Sequence, residues 1–362
     1  MQKTNRLDAV LCLTFLFSAC LAGASDWQWR SIGTAGNWGH SENYSVVSSC
    51  GASYPFSKVS SAGGESYGGF IYPFDRRVMR TRDDFDGDGK SDCWFYHPSQ
   101  VWYVIYSTST QTVSRLSFGL PGAVTVPEDY DGDHLTDYAV YQESSGLWVA
   151  LLSSMNYASV SANFGGPGCM PIPADFDGDQ KADPAIYHPA SGVWTATQSS
   201  LGYAMLSGIL GGPAYTAVTG DFDEDDKADG VAYSEAAGYL ALSMSGSFAA
   251  FRRAPYSVLE AGYGGPGFSL LAEDYDGDGC ADVAAYDRAS GSWFVMNYKL
   301  DPIIWGLQWG GANYAPLAGD FDGDGLADAS VLYRDLRDTI WQLNESTDGP
   351  RTVSARGLRP TY

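Results

Sequence analysis

Short apolar and aromatic runs recur along most of the chain, and residues typical of turns separate them. One set of runs carries a tyrosine near its end, and these runs are CWFYH, YAVYQ, PAIYH, GVAYS, VAAYD and ASVLY, between Cys93 and Tyr333. A second set begins at a tryptophan, at Trp102, Trp148, Trp194, Trp293 and Trp341. Runs of this length and composition, bounded by turn residues, predict β-strands.

These runs belong to a repeated unit of about 46 residues. Each unit begins with a short strand, such as Val124 to Pro127, and ends in a glycine-rich corner, such as FGGPG from Phe164. Four short antiparallel strands repeated in this way predict an all-β fold, a β-propeller with one unit per blade. We expect the repeated Trp and Tyr side chains to pack between neighbouring blades, and the alternative for them is stacking on a sugar.

A nonapeptide rich in aspartate precedes the tyrosine-bearing run of every unit. The six copies are DFDGDGKSD from Asp84, DYDGDHLTD from Asp129, DFDGDQKAD from Asp175, DFDEDDKAD from Asp221, DYDGDGCAD from Asp274 and DFDGDGLAD from Asp320. Successive copies are 45, 46, 46, 53 and 46 residues apart. Every copy has aspartate at positions 1, 3, 5 and 9, so each predicts four carboxylates around one hollow.

Hard oxygen ligands in this number suit calcium, which accepts six to eight oxygens in flexible geometry, whereas magnesium requires stricter octahedral geometry. Zinc would require His or Cys, which the loops do not share. The loops are not EF-hands, because position 12 of the first copy is Phe95 rather than Glu and strand-like residues follow. A single copy could be an ordinary turn, since Asp and Gly favour turns. Six complete copies instead predict six calcium sites.

The predicted ligands are the four carboxylates of each loop and the backbone carbonyl at position 7. They are Asp84, Asp86, Asp88, Lys90 and Asp92; Asp129, Asp131, Asp133, Leu135 and Asp137; Asp175, Asp177, Asp179, Lys181 and Asp183; Asp221, Asp223, Asp225, Lys227 and Asp229; Asp274, Asp276, Asp278, Cys280 and Asp282; Asp320, Asp322, Asp324, Leu326 and Asp328.

Three of the loops are less regular than the others. Position 6 is His134, Gln180 or Asp226 instead of Gly, and Glu224 replaces Gly at position 4 of the fourth loop. Side chains at positions that need left-handed backbone carry a conformational cost. We expect these three sites to bind calcium more weakly than the first, fifth and sixth.

The composition agrees with a folded, metal-binding protein. The formal net charge is −22, and the four repeated aspartates of the six loops supply 24 of the 43 acidic residues, so six calcium ions would bring the charge to about −10. An acidic chain of this kind is not expected to bind nucleic acid, which requires a basic surface. Hydrophobic residues make up 44% of the chain, enough for a core rather than a disordered acidic segment.

The N-terminus resembles a secretion signal. Lys3 and Arg6 precede an apolar stretch from Ala9 to Phe17, and Ala22-Gly23-Ala24 suits cleavage, so residues 1–24 are predicted as a signal peptide. The stretch is too short for a transmembrane helix, and no later segment qualifies. Lipidation at Cys20, within FSAC, is the alternative. The chain is thus expected to be exported, as a secreted, periplasmic or cell-surface protein.

Export permits disulfide bonds among the cysteines that remain after cleavage. These are Cys50, Cys93, Cys169 and Cys280, and they occupy unrelated positions in their units, so bridges and free thiols both stay open. Residues 25–76 have the length of one unit but no aspartate loop. They are predicted to form a divergent seventh blade or a cap, whereas residues 77–362 form the six-loop propeller.

The pattern DFDGDGKxDxAVYxPxxGxW resembles the bacterial FG-GAP (VCBS-type) repeat, which is similar to the calcium-binding blades of the integrin α-subunit. The resemblance covers residues 77 to 356, and the aspartate loops match position by position. The chain departs from it at His97 and His188, where the family usually has Arg, and at Leu240, where Trp is expected. The resemblance implies calcium binding and a propeller, but it names no ligand.

No catalytic motif is evident in the sequence. Nucleophile elbows, Walker loops and HExxH sequences are missing, and the carboxylates outside the loops that could serve as acid or base are Glu128, Glu235, Glu260 and Glu273, which no motif links. His40 has no evident partner. The sequence therefore predicts a recognition or adhesion module for a protein or glycan. The alternative is a polysaccharide-active lyase or hydrolase on the same scaffold.

The long interval after Asp221 contains an insertion with a basic pair, Arg252-Arg253, in SFAAFRRAPYSVLEAGY. Insertions in repeat proteins map to loops on one face, often the binding face. Two guanidinium groups would suit an anionic ligand, such as an acidic glycan. The alternative is a surface insertion without a binding role.

Overall fold

The structure is a computed structural model that describes residues 28–32, 36–40, 44–49, 58–61, 64–67, 82–109, 113–243, 257–259, 263–299, 301–334, 338–347 and 349–356. In these residues every regular element is a β-strand. The chain divides into two compact units, Met1–Val78 and Met79–Tyr362. The predictions for the signal peptide, Cys20, His40, Cys50, Arg252-Arg253 and Glu260 concern side chains outside the described residues.

The first unit contains a five-stranded antiparallel meander in sequence order. Its strands are β1 (Gln28–Ile32), β2 (Gly36–His40), β3 (Tyr44–Ser49), β4 (Lys58–Ser61) and β5 (Gly64–Tyr67).

The second unit contains six antiparallel sheets, one for each aspartate loop, and we call them blades 1 to 6. Blade 1 has β6 (Cys93–His97), β7 (Val101–Ile105) and β8 (Val113–Ser117); blade 2 has β9 (Val124–Thr125), β10 (Tyr138–Gln142), β11 (Leu147–Leu152) and β12 (Ala158–Asn163). Blade 3 has β13 (Met170–Pro171), β14 (Ala185–His188), β15 (Val193–Gln198) and β16 (Ala204–Ile209); blade 4 has β17 (Thr216–Gly220), β18 (Asp229–Ser234), β19 (Tyr239–Ser243) and β20 (Ser257–Leu259). Blade 5 has β21 (Phe268–Glu273), β22 (Asp282–Asp287), β23 (Ser292–Met296) and β24 (Pro302–Gln308); blade 6 has β25 (Tyr314–Leu317), β26 (Ser330–Arg334), β27 (Asp338–Glu345) and β28 (Gly349–Arg356).

Six hydrophobic clusters hold the blades together, and each contains side chains of two neighbouring blades. The second strands are therefore buried on both faces; all six residues of β18 are buried, for example. A strand covered on both faces favours a nearly continuous apolar sequence, which explains runs such as GVAYS. The cluster of Cys93, Phe95, Trp341 and Leu343 joins blade 6 to blade 1.

The repeated aromatic residues lie in these inter-blade cores. Trp102, Trp194, Trp293 and Trp341 are at most 1% exposed. In blades 1, 2, 3 and 5 the indole Nε1 donates to the carbonyl oxygen 16 residues later, as in Trp148 to Phe164 at 3.0 Å. The neighbouring tyrosine hydroxyl accepts from the glycine corner, as in Gly166 N to Tyr141 at 2.9 Å. These contacts assign the Trp and Tyr positions to the core, which excludes stacking on a sugar.

One backbone hydrogen bond, repeated six times, closes the ring of blades. The N–H at position 8 of each loop donates to the carbonyl at position 1 of the preceding loop, over 2.5–2.7 Å. The series includes Ser91 N to Asp320 O at 2.7 Å, which joins the first loop to the sixth. The fold prediction is thus confirmed as an all-β, six-bladed β-propeller, and of the two blade counts the ring has six.

Candidate metal centre

Each aspartate loop is folded around the carboxylate at position 1. In the first loop the two Asp84 oxygens accept hydrogen bonds from Gly87 N at 2.6 Å and Gly89 N at 2.9 Å. The same pair of bonds, from positions 4 and 6, is present in the other five loops. The short aspartate side chain thus shapes its own loop by bonding to nearby backbone N–H groups.

The carboxylate at position 9 connects the two ends of the loop and the next hairpin. Asp92 Oδ2 accepts from Phe85 N at 2.8 Å, and Asp92 Oδ1 accepts from Ser107 N at 2.7 Å. Asp137, Asp183 and Asp328 make equivalent pairs of bonds. In these four loops position 9 is therefore fixed by donors from two separate parts of its blade.

The folded loops bring the predicted ligands together. Carboxylate oxygens of positions 1, 3 and 9 lie within 4.8 Å of one another in loops 1, 2, 3 and 5, for example in Asp84, Asp86 and Asp92. In loop 4 the group within that distance is Asp221, Asp223 and Asp225. All the predicted ligand positions of the six loops lie within the described residues, and in these five loops three of the four predicted carboxylates form one cluster.

The electrostatics of the hollow disfavour ionised carboxylates without a counter-charge. Burial raises the pKa of Asp92, Asp137, Asp183 and Asp328 to about 7 and that of Asp282 to about 8, and nearby aspartates add to the rise. Donated backbone hydrogen bonds oppose this rise without cancelling it. A bound cation would stabilise the ionised forms.

Two carboxylate oxygens provide a direct test of whether a cation fits. Asp131 Oδ1 and Asp282 Oδ1 are buried, and neither has a hydrogen-bond partner. A buried carboxylate oxygen without a partner is costly, and both atoms belong to predicted ligands. Calcium takes oxygen ligands of this kind, so the residues present fit the ion.

A pair of hydroxyl side chains covers the loop in four blades. In blade 2, Ser153 Oγ donates to Asp133 Oδ2 at 2.8 Å and Ser154 Oγ donates to Asp131 Oδ2 at 2.7 Å. The equivalent pairs are Ser107 and Thr108, Ser199 and Ser200, and Ser346 and Thr347. Blade 5 has Tyr298 and Lys299 at these places.

Sequence reasoning missed these hydroxyl pairs. Their signal is a repeated Ser/Thr pair that starts five residues after the strand-opening tryptophan. They orient the carboxylates at positions 3 and 5 and hold them toward the hollow.

Neighbouring loops also interlock through their side chains. A Cβ placed on the position-4 glycine would lie 2.6 Å from Leu135 at Gly87, and 2.7 Å from Leu326 at Gly277. Lys181, Lys227 and Lys90 cover Gly132, Gly178 and Gly323 in the same way. The residue at position 7 of one loop therefore packs on position 4 of the preceding loop, and its side chain has a role beyond that predicted for its carbonyl.

Glu224 is the one residue at position 4 of a loop that is not glycine, and the position-7 residue of the following loop, Cys280, is the smallest of the six. Glu224 has a φ of +64° and lies next to Cys280, whose buried thiol has a pKa raised by burial and also by Asp278 and Glu224. His134, Gln180 and Asp226, the other residues in place of loop glycines, have φ of +69°, +69° and +63°. The structure thus shows the strained backbone expected at these positions, whereas weaker binding there remains a prediction.

The channel along the ring axis contains a second charged cluster. The channel has a volume of about 400 Å³ and is lined by the first strands of the blades. Arg82 Nε lies 3.1 Å from Glu273 Oε1, and Asp83 and Glu128 line the same channel. Two carboxylates that no sequence motif links, Glu128 and Glu273, are therefore brought together here.

The remaining residues that the sequence singled out have structural partners. The His97 and His188 rings bond to Ser99 and Ser191, and Glu235 pairs with Arg288 at 2.6 Å.

Cys93, Cys169 and Cys280 are free thiols. Among the described residues no helix is long and apolar enough to cross a membrane.

Comparison of the sequence with protein-family models and with curated proteins finds no match. Among solved structures, a streptogramin B lyase is similar at 9% identity and a TM-score of 0.44, covering 85% of this chain and 89% of its own. A catalytically inactive virginiamycin B lyase from Staphylococcus aureus with quinupristin is similar at 8% identity and 0.43, covering 88% and 96%. An Agrocybe aegerita lectin that recognises non-reducing terminal N-acetylglucosamine is similar at 14% identity and 0.43, covering 75% and 78%. TM-scores this low carry no argument about function.

Proposed function

We propose that this chain is an exported calcium-binding β-propeller that acts as a recognition or adhesion module for a protein or glycan. The observation that carries the calcium assignment is the pair of buried, unpartnered ligand oxygens, Asp131 Oδ1 and Asp282 Oδ1. The clustered aspartates and the raised pKa of the position-9 carboxyls support it. So does the resemblance of the loops to FG-GAP (VCBS-type) repeats.

Each site would take its ligands from one loop, with carboxylates from positions 1, 3, 5 and 9 and a carbonyl from position 7. Calcium would supply positive charge and would compensate for burying four carboxylates together. The protein's own contribution is to preorganise the site. In loop 2, for example, backbone N–H groups hold the carboxylates at positions 1 and 9, and the hydroxyl pair holds those at positions 3 and 5.

The ring also links the six sites. The peptide group between positions 7 and 8 would offer its carbonyl to the ion of its own loop, and its N–H bonds to the carbonyl at position 1 of the preceding loop. Calcium at one site would therefore fix a peptide that supports the preceding site. A belt of linked sites suits a rigid recognition scaffold, and the exported location supplies the calcium at the millimolar level that weak loop sites need.

Isothermal titration of the chelator-treated protein with calcium tests the metal assignment directly. We expect calcium to be bound at up to six sites and to raise the melting temperature, because a ligand that binds only the folded state stabilises it. Titration with magnesium is the matched control and should give a smaller response. No heat and no change in melting would refute the calcium assignment.

A binding screen against glycans and exported proteins, with and without chelator, tests the recognition role. Retention of an unaltered ligand that is lost on chelation supports recognition. New reducing ends or unsaturated sugars would instead show a polysaccharide-active enzyme.

A further inference from the structure

The exposed apolar side chains of the propeller are concentrated in two adjacent blades. Among the described residues, all the exposed large hydrophobic side chains except Trp305 belong to blades 2 and 3. They are Val124, Met155, Tyr157, Val160, Met170, Leu201, Tyr203, Met205 and Ile209. Contiguous exposed apolar residues on a soluble protein mark interaction surfaces. The fourth strand of blade 3, β16, and the turn before it make the largest contribution, with Leu201, Tyr203, Met205 and Ile209.

The same two blades carry no charge on these strands. Residues 144–174 and 189–220 contain no Asp, Glu, Lys, Arg or His, although the protein has a net charge of −22. The corresponding segments of other blades carry charges, such as Arg115 in β8, Lys299 and Asp301 in the turn before β24, and Glu345 and Arg351 in blade 6. The rim of blade 3 is therefore a neutral, apolar surface on an acidic molecule.

Strand β16 is the outermost strand of blade 3, and it pairs only with β15. An outer strand presents unpaired N–H and C=O groups, and proteins protect such edges with charges, proline or bulges. Arg115 lies in β8, Pro302 and two register shifts lie in β24, and Pro350 lies in β28. Strand β16, AMLSGI, has none of these devices.

The side chains of β16 make the edge self-complementary. Met205 and Ile209 are 70% and 60% exposed, and they lie on the same side of the strand as Ser207. If two such strands pair antiparallel about Ser207, each Met205 lies opposite the Ile209 of the other copy. This arrangement creates two apolar cross-strand pairs, the contacts that stabilise a sheet.

The turn before β16 extends this surface. Tyr203 has a φ of +63°, a conformation that is unfavourable for a bulky residue, yet its side chain is 62% exposed. Leu201 beside it is 63% exposed. Burial of the Tyr203 aromatic ring within the monomer therefore does not offset the backbone strain at this residue.

We propose that two copies of this chain associate through β16, forming one continuous antiparallel sheet across the two blades. The self-complementary edge identifies a second copy as the occupant. Two copies, each with a net charge of −22, repel one another over most of their surface, and the uncharged edge of β16 is where that repulsion is weakest. The self-complementary spacing of Met205 and Ile209 suits the two-fold symmetry of such a dimer.

Sedimentation velocity of the calcium-loaded full-length protein over a range of concentrations tests the proposal. We expect a monomer–dimer equilibrium for the wild type. The double variant Met205→Lys/Ile209→Lys places lysines opposite lysines, and it should weaken dimerisation by at least about tenfold. Because both side chains are exposed in the monomer, the variant should keep the wild-type melting temperature.

A charge-paired variant tests the register. Met205→Lys/Ile209→Glu places lysine opposite glutamate only if the strands pair about Ser207, so its dimerisation should recover relative to the double-lysine variant. Trp305→Lys, at a 67% exposed position on blade 5, is the matched control and should dimerise like the wild type.

Several results would overturn the proposal. A wild type that stays monomeric at every concentration would assign the apolar rim to another kind of partner. A double-lysine variant that dimerises normally would place the interface elsewhere. Failure of the lysine–glutamate variant to recover would contradict pairing about Ser207.

Discussion

Glu224 and Cys280 occupy the positions at which neighbouring loops pack elsewhere in the ring, and this leads to a prediction about how the loops interlock. Elsewhere in the ring, a leucine or lysine at position 7 packs on a glycine at position 4, and a Cβ on Gly277 would lie only 2.7 Å from Leu326. At the junction of loops 4 and 5, Glu224 already has a Cβ and Cys280 is small. Replacing Cys280 with leucine should therefore cause a steric overlap with Glu224.

The expected magnitudes follow from this geometry. Overpacking by Cys280→Leu should lower the free energy of unfolding by about 1–3 kcal/mol. Glu224→Gly should be neutral or stabilising by up to about 1 kcal/mol, because glycine accepts the φ of +64° without strain. The double variant recreates the leucine-on-glycine contact of Leu326 and Gly277, so the cost of the leucine should largely disappear.

Equilibrium urea unfolding in excess calcium, followed by tryptophan fluorescence, measures the four proteins of this double-mutant cycle. We expect a coupling free energy of at least about 1 kcal/mol between the two sites. Cys280→Ala, which removes the thiol without adding bulk, serves as the control and should show little coupling to Glu224→Gly. Additive effects, with coupling below about 0.5 kcal/mol, would refute the interlocking of neighbouring loops.

Three further predictions concern the metal sites. Asp320→Ala should reduce the calcium-dependent rise in melting temperature more than Asp221→Ala, because loop 6 keeps both glycines and loop 4 has neither. Equal losses would show that these glycines do not determine the relative calcium affinities of the sites. The double variant Ser153→Ala/Ser154→Ala should lower the calcium affinity of loop 2 by about tenfold, since two hydrogen bonds that orient its carboxylates are lost. An unchanged calcium titration would show that the two hydroxyl groups do not contribute to binding. In chelator, the fold should be more stable at about pH 5 than at about pH 8. The reason is that burial raises the pKa of Asp282 to about 8, so stability is lost as the pH rises through that value. Thermal melts that show the opposite trend would contradict these pKa shifts.

Much of the propeller could be predicted from local sequence. The strand-forming runs, the turn residues and the regular spacing all repeat, and each repeat buries its Trp and Tyr against the next blade. Position 1 and position 9 aspartates were also identifiable, because the loop is local and its own backbone N–H groups hold these carboxylates. Repetition made this local signal specific.

Contacts between repeats were harder to predict. The hydroxyl pair of Ser153 and Ser154 lies some 20 residues from its aspartates, and only the hairpin geometry brings them together. Glu128 and Glu273 line the same channel because the ring closes, which no single repeat encodes. Likewise, the pairing of a larger residue, Glu224, with a smaller one, Cys280, can be recognised only when the relative positions of two adjacent loops are known. In each case the missing information is the distance in space between residues that are far apart in sequence.

The hydrogen bond from Ser91 to Asp320 has a consequence for how the propeller unfolds. In an open repeat array the terminal repeats have one neighbour each, so they fray first and the array loses stability in steps. Closure gives every blade two neighbours, and the first and last blades share a core as well. Detaching any single blade then breaks two interfaces at once, so we expect the six blades to unfold as one cooperative unit. Deleting one blade should abolish folding rather than shorten the protein, because five blades cannot join Ser91 to Asp320 at the same angle.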